Sequence, residues 1–171
     1  MVAITNCNPY TFMLQFTRGD FMRVSTRFPI AVHAMMMISA LSSKRRVNSD
    51  FISESTGVNA VIIRNIFSQL KKANLITVSP GPGGTTLSKS PEQISLWDIY
   101  AAIESDKTED IFKFHENPSP HCPIGSNIYD LLFSHLDDAV TALKDSLSQV
   151  SLADLLTDLL EKLPYLSSDA E

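Results

Sequence analysis

The chain has 171 residues, 44% of them hydrophobic, and a formal net charge of −5. That suits one compact domain, or a small domain with an appended dimerisation element, around an ordinary core. No stretch approaches the roughly 20 apolar residues that span a bilayer. The N-terminus also lacks the basic start, apolar run and small-residue cleavage site of a secretory signal. A cytoplasmic location and no membrane partner are therefore expected. Two cysteines, Cys7 and Cys122, are too few for a disulfide scaffold or a four-cysteine zinc site.

The acidic total hides an asymmetry. From Met22 to Lys89, nine basic residues face only Asp50 and Glu54, a balance of +7; from Ser90 to Glu171, four lysines face sixteen acids, a balance of −12. A basic first half joined to an acidic second half suggests that only the first meets a polyanion.

The first helix is predicted from about Phe28 to Leu41, with Ile30, Ala34, Met37, Ile38 and Leu41 at helical spacing and Pro29 in its first turn. Met35, Met36 and Met37 read as core and its flank. Lys44-Arg45-Arg46 is a loop. A short helix follows over about Ser49–Ser55, capped by Asn48 or Ser49 and ended by Gly57. Asn59 caps a third helix running to about Ala73, whose expected buried face is Ile62, Ile63, Ile66, Phe67 and Leu70. The opposite face then carries Ala60, Val61, Arg64, Ser68 and Lys71, a surface with few bulky groups that suits insertion into a groove.

Leu75–Ser79 and Thr85–Ser88, separated by Pro80-Gly81-Pro82-Gly83-Gly84, read as a β-hairpin. Three helices followed by a hairpin is the order of a winged helix-turn-helix, whose third helix reads the DNA major groove. A fourth helix is predicted over about Ser95–Glu104, capped by Ser95 with Asp98 three residues on; Leu96, Trp97, Ile99, Tyr100 and Ile103 are its candidate core residues. An irregular stretch with Pro118, Pro120 and Pro123 also holds His115, His121 and Cys122. A long helix spans about Asn127–Gln149, where Leu132, Leu136, Val140, Leu143, Leu147 and Val150 step by four, four, three, four and three. That coiled-coil-like seam, with no other long helix to cover it, is a dimerisation candidate; packing on its own winged helix is the alternative. Ser151 caps a last helix, Leu152–Leu163, stopped by Pro164.

Several segments together resemble the Rrf2 family of bacterial transcription regulators, which includes iron–sulfur and cysteine-metabolism regulators, and within it the cysteine-poor, YwnA-like subgroup. They are Met22–Phe28 through Ala31-Val32-His33, Gly57-Val58-Asn59 with Arg64, Leu70–Leu75, Gly81–Gly84, Pro91–Tyr100 and Val150–Leu155. The resemblance implies a homodimer of winged helices on a dyad-symmetric double-stranded DNA operator, usually repressing. It places Asn59, Val61 and Arg64 in the major groove, Ser25, Thr26 and Arg27 near phosphates, and the wing turn, Gly83 and Gly84 included, close to the DNA.

The fold class expected is mainly α with a small β-hairpin wing: a winged helix-turn-helix plus a long C-terminal dimerisation helix. The expected organisation is an N-terminal extension over residues 1–21, a winged-helix domain over 22–104, a loop and candidate sensor region over 105–126, dimerisation helices over 127–163 and a tail over 164–171. Since the resemblance begins at Met22, translation is expected to start there. Arg64 is the best base-reading candidate, because arginine pairs bidentately with guanine, with a surface salt bridge as its alternative role; Arg27, Arg45, Lys71 and Lys72 would contact phosphates.

The chain departs from the family where Pro80 stands at a wing position that is often arginine. It departs again where iron–sulfur members carry three cysteines and this chain has Cys122 alone, so no cofactor is expected. Cys122, beside His121, is a candidate redox sensor, because an adjacent imidazolium would favour the thiolate; a bystander thiol is the alternative, and a small-molecule effector in the loop–helix region is a further one. His115, His121, Cys122 and His135 are metal-ligand types, but their spacing matches no zinc signature, and no metal site is expected. The glycine-rich turn lacks the phosphate-loop pattern, and no nucleophile–base constellation has spacing logic, so the chain is not expected to be an enzyme. The remaining rival is a winged helix used for protein–protein contact without DNA.

Overall fold

The computed structural model describes residues 25–79, 83–104, 111–112, 118–119 and 121–163. Along these run helices α1 (Arg27–Leu41), α2 (Ser49–Thr56) and α3 (Ala60–Lys72), strands β1 (Ile76–Ser79) and β2 (Gly84–Leu87), then α4 (Leu96–Ile103), α5 (Ile128–Ser148) and α6 (Leu152–Lys162). The first 24 residues, Pro80-Gly81-Pro82 of the wing and His115 lie outside the described residues.

Local chemistry sets the helix ends. Asn48 starts α2 by accepting a hydrogen bond from the Phe51 N–H at 2.8 Å, and Gly57 ends it in the left-handed region at φ 68°. Asn59 starts α3 by accepting from Val61 N–H at 2.8 Å. The chain leaves α3 through Asn74, left-handed at φ 56°, while Leu75 N–H donates back to the Leu70 carbonyl at 3.0 Å. This left-handed exit, which asparagine tolerates better than most residues other than glycine, turns the backbone straight into β1.

The core lies where α1, α2, α3 and α4 meet. Ala31, Ala34, Met35 and Ile38 of α1 pack with Ile52, Ile63, Ile66, Leu70 and Ile99, all fully buried. Within α1 the buried methionine is Met35; Met36 and Met37 lie partly buried against the cluster. Ile62, expected in the buried face of α3, is 42% exposed. It sits about 100° around the helix from Ile63, at the edge of the stripe set by Ile63, Ile66, Phe67 and Leu70.

The two strands pair antiparallel with Ile76 opposite Leu87 and Ser79 opposite Gly84. Thr85 N–H donates to the Val47 carbonyl at 2.9 Å, which ties this hairpin to the α1–α2 loop.

Two capping boxes then fasten the C-terminal part to the head. Ser95 caps α4 with Asp98, Ser151 caps α6 with Asp154, and the two serines form an antiparallel bridge. Leu96 N–H donates to the Val150 carbonyl at 2.9 Å and Leu152 N–H to the Ile94 carbonyl at 2.8 Å, with Leu152 fully buried. By contrast, α5 buries no residue along its 21 positions. No described helix is long and apolar enough to cross a membrane.

Candidate nucleic-acid interface

Helices α2 and α3 and the hairpin build one surface. The exposed face of α3 carries Val61 (56% exposed), Arg64, Ser68 and Lys71. Beside it a cleft of about 370 Å³ runs between α3 and the hairpin, bringing Arg64, Ser68 and Lys71 together with Arg46, Ser49 and Ser79. Three basic side chains and three hydroxyls around a cleft form a donor-rich surface, suited to the oxygens of a sugar–phosphate backbone.

Arg64 is already engaged. Its guanidinium meets Asp50 at 3.1 Å and donates through Nε to Ser49 Oγ at 3.3 Å. Both side chains are more than half exposed, so the pair is weak and screened, worth at most about 1 kcal/mol. It orients the arginine across the α2–α3 turn without burying it.

Other sequence-predicted residues are placed differently. Arg27 is half-buried, and one NH₂ group donates to Gln69 Oε1 at 2.6 Å, which ties α1 to α3. Ser25 Oγ accepts from Arg27 N–H at 3.3 Å, and Thr26 is exposed. Arg45 lies 4.6 Å over the Phe51 ring, exposed at the side of α2. Asn59 is exposed, but its carboxamide oxygen is committed to the α3 cap. Lys72 faces a second cavity, away from the cleft that Lys71 lines.

Gly83 is exposed; Gly84 is buried, and its role differs from the expected approach to DNA. At φ 71°, with a would-be Cβ only 3.1 Å from the Val47 carbonyl oxygen, Gly84 lets the hairpin close onto the α1–α2 loop. Its missing side chain serves packing. Arg46 and Ser49 line the cleft without having been expected at the DNA surface; Ser49 was a cap alternative, a role that Asn48 fills. Arg46's place in the Lys44-Arg45-Arg46 run was the only signal.

In the C-terminal part, Cys122 is exposed, and its sulfur accepts from Gly125 N–H at 3.4 Å. The backbone N–H groups of Gly125 and Ile124 pull its thiol below the ordinary value. The expected cause was His121; the observed one is the backbone turn. Of the seam, Leu132 is 39% exposed, while Leu136, Val140, Leu143, Leu147 and Val150 are half-buried. Among the described residues no three His, Cys, Asp or Glu side chains gather as a metal site.

Three helices, the third presenting an exposed basic face, followed by a two-stranded hairpin define a winged helix-turn-helix. Residues 24–158 match the Rrf2 family, described as an iron-dependent transcriptional regulator, and the chain belongs to that family. It is 34% identical over 136 residues to YwnA of Bacillus subtilis, named as an HTH-type transcriptional regulator, covering 80% of this chain and 98% of that one. It is 30% identical over 139 residues to the transcriptional regulator IscR of Vibrio cholerae, covering 80% and 76%. A crystal structure from Lactobacillus plantarum, described as a transcriptional regulator, superposes with a TM-score of 0.67 at 27% identity, covering 85% and 98%. The chain is thus a DNA-binding transcription regulator and not an enzyme.

The family description mentions iron, and the donor set here does not fit a thiolate-held cluster. Such clusters need several cysteines, and beyond Cys7 the chain has only Cys122.

Proposed function

We propose that the chain is a homodimeric, sequence-specific repressor that binds a dyad-symmetric operator with α3 in the major groove and the hairpin against the flanking backbone. The observation that carries this is the exposed face of α3, with Val61, Arg64, Ser68 and Lys71 beside the cleft that adds Arg46, Ser49 and Ser79. Arg64 reads a base edge once its pair with Asp50 opens. Lys71, Arg46 and Arg45 neutralise phosphates, with Lys72 at the end of α3 and Ser25 and Thr26 at the start of α1. Asn59 sets the entry of α3 and Gly83 lies at the wing turn.

Two copies fit this reading, because among the described residues the seam of α5 is only partly covered within one chain. Leu132, Tyr129, Leu131 and Phe133 stay substantially exposed. A groove of about 620 Å³ between α1 and α6, walled by Phe28, Val32, Met36, Met37, Leu155 and Leu159, is almost wholly apolar. Exposed apolar surface of this kind on a small regulator is interface material.

The regulator works without a family-type cluster. Cys122 is its oxidant-responsive group, an exposed thiol whose thiolate two backbone N–H groups stabilise. Oxidation of the pair of Cys122 thiols in a dimer alters the angle between the two reading heads.

The test is fluorescence anisotropy with DNA from upstream of the protein's own gene, across several salt concentrations, before and after mild thiol oxidation. Tight, salt-dependent binding that Arg64→Ala weakens and oxidation releases is expected. Binding that Cys122→Ser leaves oxidant-sensitive would sink the thiol assignment, and absence of binding to any genomic DNA would favour a protein–protein role.

A further inference from the structure

A second cavity lies on the far side of α3 from the cleft, and its indole wall and apolar floor have no part in DNA recognition. It holds about 480 Å³ between the C-terminal end of α3, the turn into β1 and one face of α4, within the range of about 300–1,000 Å³ typical of small-molecule sites. Its floor is apolar: Leu75 and Ala102 are buried there at 2% and 8% exposure. One wall is the indole of Trp97, braced by stacking on Tyr100 at a centroid distance of 5.4 Å.

The rim is rich in donors. Lys72 and Lys89 both line the cavity, and neither forms an ion pair among the described residues. Gln69 lines it too; its carboxamide oxygen is taken by Arg27 at 2.6 Å, which leaves its N–H groups to donate. The single acid on the wall is Asp98, whose Oδ2 already accepts from the Ser95 N–H at 2.9 Å and hydroxyl at 2.8 Å.

We propose that this cavity is an effector site for a small aromatic carboxylate, whose flat body lies against Trp97 over Leu75 and Ala102 and whose carboxylate reaches Lys72 and Lys89. A bare anion would leave the indole and the apolar floor uncovered, and a neutral ring would make no use of the two exposed lysines. Occupancy is coupled to DNA because the same residues belong to the reading head. Lys72 is the last residue of α3, and Gln69 accepts the hydrogen bond by which Arg27 adds to the packing of α1 on that helix. A ligand that neutralises Lys72 and draws on Gln69 lowers the affinity of α3 for the phosphate backbone. Ligand binding stands independently of the DNA-binding reading; the coupling rests on it.

Trp97 is the only tryptophan in the chain, so its emission reports the cavity directly. The full chain is titrated with benzoate and with nicotinate, and in parallel with neutral benzamide and with inorganic phosphate. A saturable change with the two carboxylates is expected, with far weaker responses to benzamide and phosphate. Lys89→Gln, an exposed substitution that leaves the fold intact, weakens carboxylate binding roughly tenfold, the scale of one charged hydrogen bond. Ala101→Phe fills the cavity and abolishes the response, its folding checked by circular dichroism.

No saturation with either carboxylate, or an unchanged affinity in Lys89→Gln, overturns the site. A response to phosphate equal to that of benzoate overturns the aromatic class and leaves an anion pocket only. DNA affinity is then measured with and without saturating carboxylate, where a several-fold loss that disappears in Lys89→Gln is expected. Unchanged DNA affinity at saturation overturns the coupling. A chain that binds no DNA fails the regulator reading, while tryptophan emission still decides the ligand site.

Discussion

Helices α3 and α5 both carry an apolar stripe in sequence, and the structure treats them oppositely. α3 buries Ile63, Ile66, Phe67 and Leu70, whereas α5, at 21 residues the longest helix described, buries nothing. The stripe of α3 is matched by α1, α2 and α4 of the same chain; the stripe of α5 is only partly covered. A periodic pattern therefore shows that a face wants burial, and says nothing of where its cover comes from.

The largest effects separate the two regions by making the same kind of change in each. Ile66→Ala, at a fully buried site, should cost about 2–5 kcal/mol of stability through lost transfer energy and the cavity left behind. Leu143→Ala on α5 should cost far less in dilute solution, and its cost should grow with protein concentration. Urea denaturation at low and high concentration measures both. Equal losses at low concentration would break the comparison, because they would mean that α5 is covered within one chain. Leu136→Glu combined with Leu143→Glu should convert the proposed dimer to monomer by sedimentation while α-helix content persists. With two linked half-sites reduced to one, operator affinity should fall by about 10²-fold or more.

The reading head was largely legible in the sequence because its signals are local. Asn48, Gly57, Asn59 and Ser95 each fix a helix end through one hydrogen bond or one backbone angle. What stayed hidden depends on three-dimensional neighbours. Arg27 and Arg64 look alike in sequence; a surface salt bridge was open for Arg64, but only packing names its partner as Asp50 and shows Arg27 spent on Gln69. Gly84 belongs to a glycine-rich turn of the kind that approaches DNA, yet the contact that requires it is the Val47 backbone, 37 residues earlier. The cause of the lowered Cys122 thiol was likewise invisible, since the turn that points Gly125 N–H at the sulfur is a matter of conformation.

Next in size are changes at the α3 surface. Arg64→Ala should cost about 1–3 kcal/mol of operator discrimination if the arginine reads a base. Asp50→Ala, which frees Arg64 and removes one of two opposing acids, should instead tighten binding to all sequences by a few-fold. Anisotropy against operator and scrambled duplexes distinguishes them. If Arg64→Ala weakened both duplexes equally, Arg64 would be a phosphate contact. Gly84→Ala should destabilise the head by about 1–3 kcal/mol through its backbone angle and the close Val47 contact, read as a lowered melting temperature with the helix–helix core intact.

The smallest effect lies at the joint between the two regions, where α6 is capped on the head. The Asp154 carboxylate accepts from the Ser151 hydroxyl at 2.7 Å and from its N–H at 2.8 Å, and these bonds hold its pKa below the ordinary 3.8. A depressed carboxyl favours the folded state wherever it is ionised in both states. Its contribution is therefore complete above the unfolded value and disappears as pH falls through the lower folded value. Asp154 is fully exposed, so the effect is small and further reduced by salt. The melting temperature of the wild type should fall more steeply below about pH 4 than that of Asp154→Asn, which has no carboxylate to protonate. Near neutrality the variant should melt slightly lower, having lost the charged acceptor of its cap. If the two acid profiles were parallel, the Ser151–Asp154 box would contribute nothing to anchoring α6. The hold of α6 on the head would then rest on buried Leu152 and the two backbone hydrogen bonds beside it.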